Sequence, residues 1–208
     1  MKRLLLLIPV IAIIGCGLFG GADYWPLAVG NIWNYAGMTT VTISGTTDTT
    51  AKYFITDKIT ANDQTIDGNK VFTVATRESI VYYNPDTFNV YTGNSYVREA
   101  NKAILSYSSL TDSTPDTSLM TDLKEGKTWT QLYNSGADTI VYTVLTKEDV
   151  TVPANTYSAW KVKEVYDSGT PVYYWYADGT GMIKYAYEYT YMTATVDVWM
   201  ELQSATIK

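Results

Sequence analysis

The sequence predicts an all-β protein whose strands pair antiparallel, and three observations carry that prediction. Apolar and polar residues alternate with a period of two through much of the chain after Tyr24, and clusters of Gly, Asn, Asp and Pro interrupt the alternation at close intervals. The composition is rich in tyrosine, a residue that suits strands, with 19 in 208 residues. Alternation places successive side chains on opposite faces of an extended strand, and tight turns between such runs return the chain to its neighbour.

In chain order, strands are expected over residues 31–44, 51–60, 70–77 and 80–83. Residues 45–48, 67–69 and 84–86 supply the Gly, Asn, Asp or Pro that reversals there require. Val97, Ala100 and Ile104 stand at a weak helical spacing, although the same window also reads as strand and loop. Residues 106–121, rich in Ser, Thr and Asp and broken by Pro115, are expected to form a long mobile loop. A turn at Glu125-Gly126-Lys127 precedes strands over 139–147, 157–166 and 171–177, and residues 178–181 turn again. The last two strands carry the clearest pattern. Tyr185, Tyr187, Tyr189 and Tyr191 share one face against Lys184, Ala186, Glu188 and Thr190. Val196, Val198, Met200 and Leu202 then alternate with Asp197, Trp199, Glu201 and Gln203. No linker divides residues 24–208, which are expected to form one β domain.

Composition removes several chemistries. The chain has no histidine and one cysteine. A Ser-His-Asp triad, a Cys-His pair, a histidine-bearing zinc site and an intrachain disulfide are therefore excluded. Fifteen Lys and Arg stand against 21 Asp and Glu, for a net charge of −6. No basic footprint for a phosphate backbone remains, and no nucleic-acid partner is expected.

Residues 1–15 read as a secretory signal peptide: Lys2 and Arg3 form a charged start, Leu4 to Ile14 an apolar run, and Gly15 precedes Cys16. The apolar run is well short of the roughly 20 residues of a membrane-spanning helix. Ile13-Ile14-Gly15-Cys16 resembles the lipobox of bacterial lipoproteins. In that family the peptide is cut before the cysteine, the thiol receives diacylglycerol, and the new amine is often acylated, with palmitate among the chains. The resemblance implies lipidation of Cys16, a short tether over 16–23, and the membrane as a partner through its acyl chains. Loss of Lys2 and Arg3 leaves 13 basic residues against 21 acidic, so attraction to anionic lipid is not what retains the protein. In enteric bacteria an Asp after the lipidated cysteine holds the protein at the inner membrane. Gly17 stands there, so by that resemblance the outer membrane is favoured, on its periplasmic or surface side.

A second resemblance covers scattered parts of the body in order. Residues 24–35, Tyr24-Trp25-Pro26-Leu27-Ala28-Val29-Gly30-Asn31-Ile32-Trp33-Asn34-Tyr35, are similar to the YxPLxxGNxWxY opening of a broad group of bacterial envelope lipoproteins. Gly126-Lys127-Thr128-Trp129 follows, then Val152-Pro153-Ala154-Asn155-Thr156-Tyr157, where the group usually has VPAGTF. Residues 174–184, from Tyr174-Trp175-Tyr176-Ala177 through Gly181 to Lys184, resemble its YWYAxGxGxxK stretch. These read as turn and packing signatures. The resemblance implies a strongly curved antiparallel sheet, a half-barrel or a lipocalin-like or LolA/LolB-like barrel, and raises the expectation of a concave apolar pocket.

Eight tyrosines and Trp175 lie between Tyr166 and Tyr191. One reading is ordinary strand composition on a wet sheet face. The other is a ligand-binding surface formed by Tyr173, Trp175, Tyr185, Tyr187, Tyr189 and Tyr191, whose rings line a cleft for acyl chains or stack on sugars. Register decides whether Tyr173 and Trp175, or Tyr174 and Tyr176, continue the tyrosine row. Glycoside hydrolysis needs two carboxylates about 5 to 9.5 Å apart, and Glu188 is its candidate if it faces inward. The ordinary alternative is an exposed, salt-bridged residue, so no catalytic residue is assigned and no enzyme is expected. Asp63, Thr65 and Asp67 before Gly68 echo the start of a calcium loop, yet Val74 occupies the position of the bidentate glutamate. A hairpin turn explains them, and neither a metal nor a cofactor is expected. The expected function is non-catalytic binding of an apolar or amphipathic ligand, such as a lipid, an acylated protein or a glycolipid. Docking of another envelope protein, or of a surface glycan, is the alternative.

Overall fold

The computed structural model describes residues 22–83, 86–133, 138–167 and 169–208. The expected signal peptide, Cys16 and the expected tether up to residue 21 lie outside them, as do Asn84 and Pro85 of one expected turn.

Twelve strands form a single antiparallel sheet, and no described residue is helical. They are β1 (Ile32–Ile43), β2 (Thr46–Ile66), β3 (Asn69–Tyr83), β4 (Asp86–Ala100), β5 (Ala103–Tyr107) and β6 (Asp116–Met120). The second half comprises β7 (Thr128–Tyr133), β8 (Asp138–Val152), β9 (Asn155–Tyr166), β10 (Val172–Ala177), β11 (Gly181–Tyr191) and β12 (Ala194–Thr206). The spatial order is β6-β5-β4-β3-β2-β1-β12-β11-β10-β9-β8-β7. Each strand therefore pairs with its chain neighbour, except that β1 joins β12 and leaves β6 and β7 as the two edges. These edges touch without sharing a ladder, so the sheet is a nearly closed barrel. Register shifts in β1, β2, β8–β9 and β10–β11 supply the bends that curl a long sheet on itself.

Turn chemistry sets the hairpins. Ser44-Gly45, Asp67-Gly68 and Asn101-Lys102 each have positive φ at both positions, as the two-residue turns matched to strand twist require. Asp67 and Gly68 thus make a hairpin, and among the described residues no acidic cluster is arranged to hold a metal. The weak helical spacing at Val97, Ala100 and Ile104 belongs instead to two strands reversing at Asn101-Lys102. The expected loop over 106–121 is shorter than its composition suggests, because β6 pairs with β5 inside it.

Consecutive turns alternate between the two barrel ends. The segment before β1 crosses the end that carries the β10–β11 and β4–β5 turns. Gly179 N donates to Asp23 O at 2.7 Å, and Trp160 Nε1 donates to the Tyr24 hydroxyl at 3.0 Å. Across a cavity of 710 Å³ the same segment faces Glu99, Lys102 and Leu123. The core fills this proximal half, with Tyr24, Trp33, Ile59, Val144, Val162 and Leu202 among its buried members. Towards the other end the side chains become exposed, and residues 86–94 of β4 are exposed on both faces.

Candidate functional site

Register settles which aromatics meet. Tyr174 lies opposite Tyr185 and Val172 opposite Tyr187, whereas Tyr173 pairs with Ala186 and Trp175 with Lys184. Directly opposed residues share a face, so Tyr174 and Tyr176 continue the tyrosine row, and Tyr173 and Trp175 lie on the other side of the sheet. The sequence grouping of Tyr173 and Trp175 with Tyr185, Tyr187, Tyr189 and Tyr191 is thereby split.

The inner row is a chain of ring contacts running up the barrel wall. Centroid separations are 6.1 Å for Tyr176–Tyr174, 5.3 Å for Tyr174–Tyr185, 5.7 Å for Tyr185–Tyr187 and 6.0 Å for Tyr187–Tyr189. Exposure rises along it, to 38% at Tyr189 and 63% at Tyr191 near the distal rim. Burial lifts the Tyr174, Tyr176 and Tyr185 hydroxyls well above the usual phenol range, and the Glu164 carboxylate reinforces the shift. All three hydroxyls stay neutral across the physiological pH range.

Two adjoining cavities open against this row. The upper, 360 Å³, is lined by Tyr53, Ile55, Tyr185, Tyr187, Val198 and Met200 among others, with Glu78 as its charged member. The lower, 190 Å³, lies between Trp25, Trp33, Tyr35, Tyr176 and Asp57. Tyr174 and Met182 line both, so the two form one groove from the plugged end toward the open one. The upper chamber alone falls in the range of about 300–1,000 Å³ usual for small-molecule sites. Two hydroxyls of the groove are held by the chain itself. Tyr35 donates to Met182 O at 3.1 Å, and the Tyr53 hydroxyl is 2.7 Å from Thr39 Oγ1.

Asp57 is the most constrained of these groups. Burial raises its pKa above the ordinary 3.8, partly offset by the Thr76 hydroxyl that donates to it at 2.5 Å. A carboxyl whose folded pKa is raised stabilises the fold below its unfolded pKa, and that contribution is lost as pH climbs through the folded value. Asp57→Asn is therefore expected to raise Tm at pH 7 and to flatten the decline of stability above about pH 4. Thermal melts of both proteins from pH 3 to 8 check it, and an unchanged slope would place the cause elsewhere.

The outer face is already satisfied. Trp175 is 8% exposed, its indole donates to Glu148 Oε1 at 2.6 Å, and Lys161 and Lys184 lie 4.9 and 5.7 Å from its ring. Lys161 also stands 4.6 Å from the Tyr173 ring. These are internal cation–π contacts, so Trp175 presents no free ring face. Glu188 is exposed opposite Asp197, on the side away from the tyrosine row, while Lys184 pairs with Glu201. Sequence reasoning missed Tyr53, Glu78 and Asp57, which lie on β2 and β3 far from the tyrosine cluster. Only barrel closure brings them to the groove.

No protein-family model matches the chain, and no curated protein matches it significantly. Two solved structures are similar over most of their length. One is a Bacteroides fragilis protein inferred to be exported and described with a YmcC-like fold: TM-score 0.52, 13% identity, covering 89% of this chain and 99% of the other. The second, inferred to be a lipoprotein of Parabacteroides distasonis, has a TM-score of 0.47 and 10% identity, over 90% of this chain and 100% of the other. The first likeness establishes a shared barrel fold.

Proposed function

We propose that this protein is a lipid-anchored envelope lipoprotein that acts by binding, holding an apolar or amphipathic molecule in the groove beneath its tyrosine row. The observation that carries the reading is the 360 Å³ chamber, whose walls are tyrosine faces and aliphatic side chains and whose upper end is unplugged. The export inferred for the Bacteroides fragilis neighbour agrees with the secretory leader read at residues 1–15, and the lipobox at Ile13-Ile14-Gly15-Cys16 supports lipidation at Cys16. Two or three acyl chains at about 0.8 kcal/mol per buried CH₂ would anchor the chain stably. Outer-membrane placement follows only from Gly17 after the lipidated cysteine. Mass spectrometry of native material tests the anchor, and an uncut chain with a free Cys16 thiol would remove it.

Binding is tested on the mature chain from residue 16 carrying Cys16→Ser, with a neutral fluorescent naphthyl probe. Val198→Phe, which fills the groove opposite Tyr187, is expected to weaken probe binding by about tenfold or more, the equivalent of about 1.4 kcal/mol. Trp175→Ala, on the other face, leaves it unchanged. If Trp175→Ala abolishes binding and Val198→Phe does not, the site lies on the outer face.

A second reading, docking of another envelope protein by strand addition, is favoured by β4. Residues 86–95 pair with β3 but not with β5, whose ladder covers only Tyr96 to Ala100. That open edge carries Phe88 and Tyr91 at 62% and 53% exposure, and contains neither Lys nor Pro. A photo-crosslinker at Thr92 in intact cells should then give one dominant protein adduct.

A further inference from the structure

The groove has a sign of charge that selects among amphipathic ligands. Three carboxylates surround it: Glu78 lines the upper chamber, Asp57 lines the lower one, and Glu164 on β9 lies opposite Val172 and Tyr142, on the same face of the sheet as Tyr174. They come from β3, β2 and β9, so the closure of the barrel, and no local run of acidic sequence, gathers them. No Lys or Arg lines either chamber. Among the described residues the ion pairs are Lys127–Asp122 and Lys184–Glu201, neither of which involves these three carboxylates. Basic residues of the same region serve the other face. Lys161 and Lys184 cap Trp175 there, and Lys58 and Arg77 border a separate shallow cavity.

Carboxylates with no ion-pair partner beside an aromatic, aliphatic cleft repel an anionic headgroup and attract a cationic one. The ring faces add to the effect, because the electron-rich face of a tyrosine attracts a cation within about 6 Å. Resting on the binding reading above, we propose that the groove takes amphiphiles whose polar end is a cation, a primary amine or a quaternary ammonium. The apolar chain lies along Met182, Val198 and Met200, and the cation sits among Glu78, Glu164 and the tyrosine rings. The groove acts as a charge filter: matched chains with anionic ends are rejected.

The test compares three twelve-carbon amphiphiles below their micelle concentrations: dodecyltrimethylammonium, dodecyl maltoside and dodecyl sulfate. Each displaces the neutral naphthyl probe from the mature Cys16→Ser chain. The cation should displace at about tenfold lower concentration than the maltoside, and the sulfate should be the weakest. In Glu78→Gln and Glu164→Gln, and in the double variant, the cation-to-maltoside ratio should fall toward one. Far-UV circular dichroism and thermal melts verify that each variant is folded, and Asp57→Asn supplies a further charge removal should one not be. Equal displacement by cation and maltoside, or a ratio unmoved by the double variant, overturns the charge filter and leaves the binding reading standing. If none of the three displaces the probe, both fall.

Discussion

Replacing Gly37 with alanine is expected to lower Tm by roughly 6–12 °C, and replacing it with valine to prevent cooperative folding. Gly37 lies in the middle of β1 opposite Met200 of β12 and Tyr53 of β2. A Cβ built there would lie 2.1 Å from the Trp199 carbonyl oxygen and 2.8 Å from Met200 Cα. Both are backbone atoms, so no side chain can rotate away, and relief requires β1 and β12 to separate. Overpacking of this kind costs about 3 kcal/mol, and about 2–4 °C of Tm accompanies each kcal/mol in a domain of this size. The β1–β12 ladder is also the joint that brings Tyr53 across from Tyr187, so the alanine variant should bind the naphthyl probe more weakly even where it remains folded. Gly93 provides the control. Nothing lies within 4 Å of a Cβ there and its φ is not positive, so Gly93→Ala should hold Tm steady or raise it slightly. Equal losses at the two sites would show that the penalty is a general one for β-strand glycine in this sheet.

The contrast between these glycines indicates how far the sequence reaches. Strands buried on one face announce themselves: the tyrosine row of β11 and the Val196-to-Leu202 alternation of β12 follow from a period of two, and both appear where expected. Strands without a buried face do not. Residues 86–94 of β4 are exposed on both sides, so nothing in their composition had to alternate. β6 is a short edge strand held by its ladder to β5, and its Ser and Thr content reads as loop. Lys102 hides a turn, because a lysine at φ 61° is a conformation that sequence rules assign to Gly or Asn. The site was legible in part for a related reason. Tyr185, Tyr187 and Tyr189 are neighbours within one strand, but Glu78 and Asp57 reach the groove through long-range pairing that no local window contains. The choice between Tyr174 and Trp175 depended on a single register, and a slip of one residue would exchange the two faces.

Asn31→Ala should be the most costly substitution in the segment that plugs the barrel. Asn31 is fully buried, and its side chain is used at both ends: Nδ2 donates to Pro26 O at 2.9 Å, and Oδ1 accepts from Lys208 N at 2.9 Å. Its backbone carbonyl also accepts from Ile59 N, next to the bond from Gly30 N to Ile59 O. One amide therefore ties the plug to residue 208, while its backbone ties both to β2. Alanine strands the buried Pro26 carbonyl away from water, at about 1–3 kcal/mol, and removes the acceptor of the part-buried Lys208 N–H at a smaller cost, so a loss of roughly 3 kcal/mol is expected, read as a fall in Tm of about 10 °C. Asn31→Asp separates the two bonds. At pH 7 its carboxylate can still accept from Lys208 N but has no hydrogen for Pro26 O, and it places a charge in a buried site, so it should be at least as damaging as alanine. On acidification the protonated carboxyl regains a donor, and this variant alone should recover stability relative to the parent as pH falls toward 4. The slope has the sign of a buried carboxyl whose folded pKa is raised. If alanine and aspartate behave identically at every pH, the Pro26 bond contributes little, and the plug is held in place by the burial of Tyr24 and Trp33.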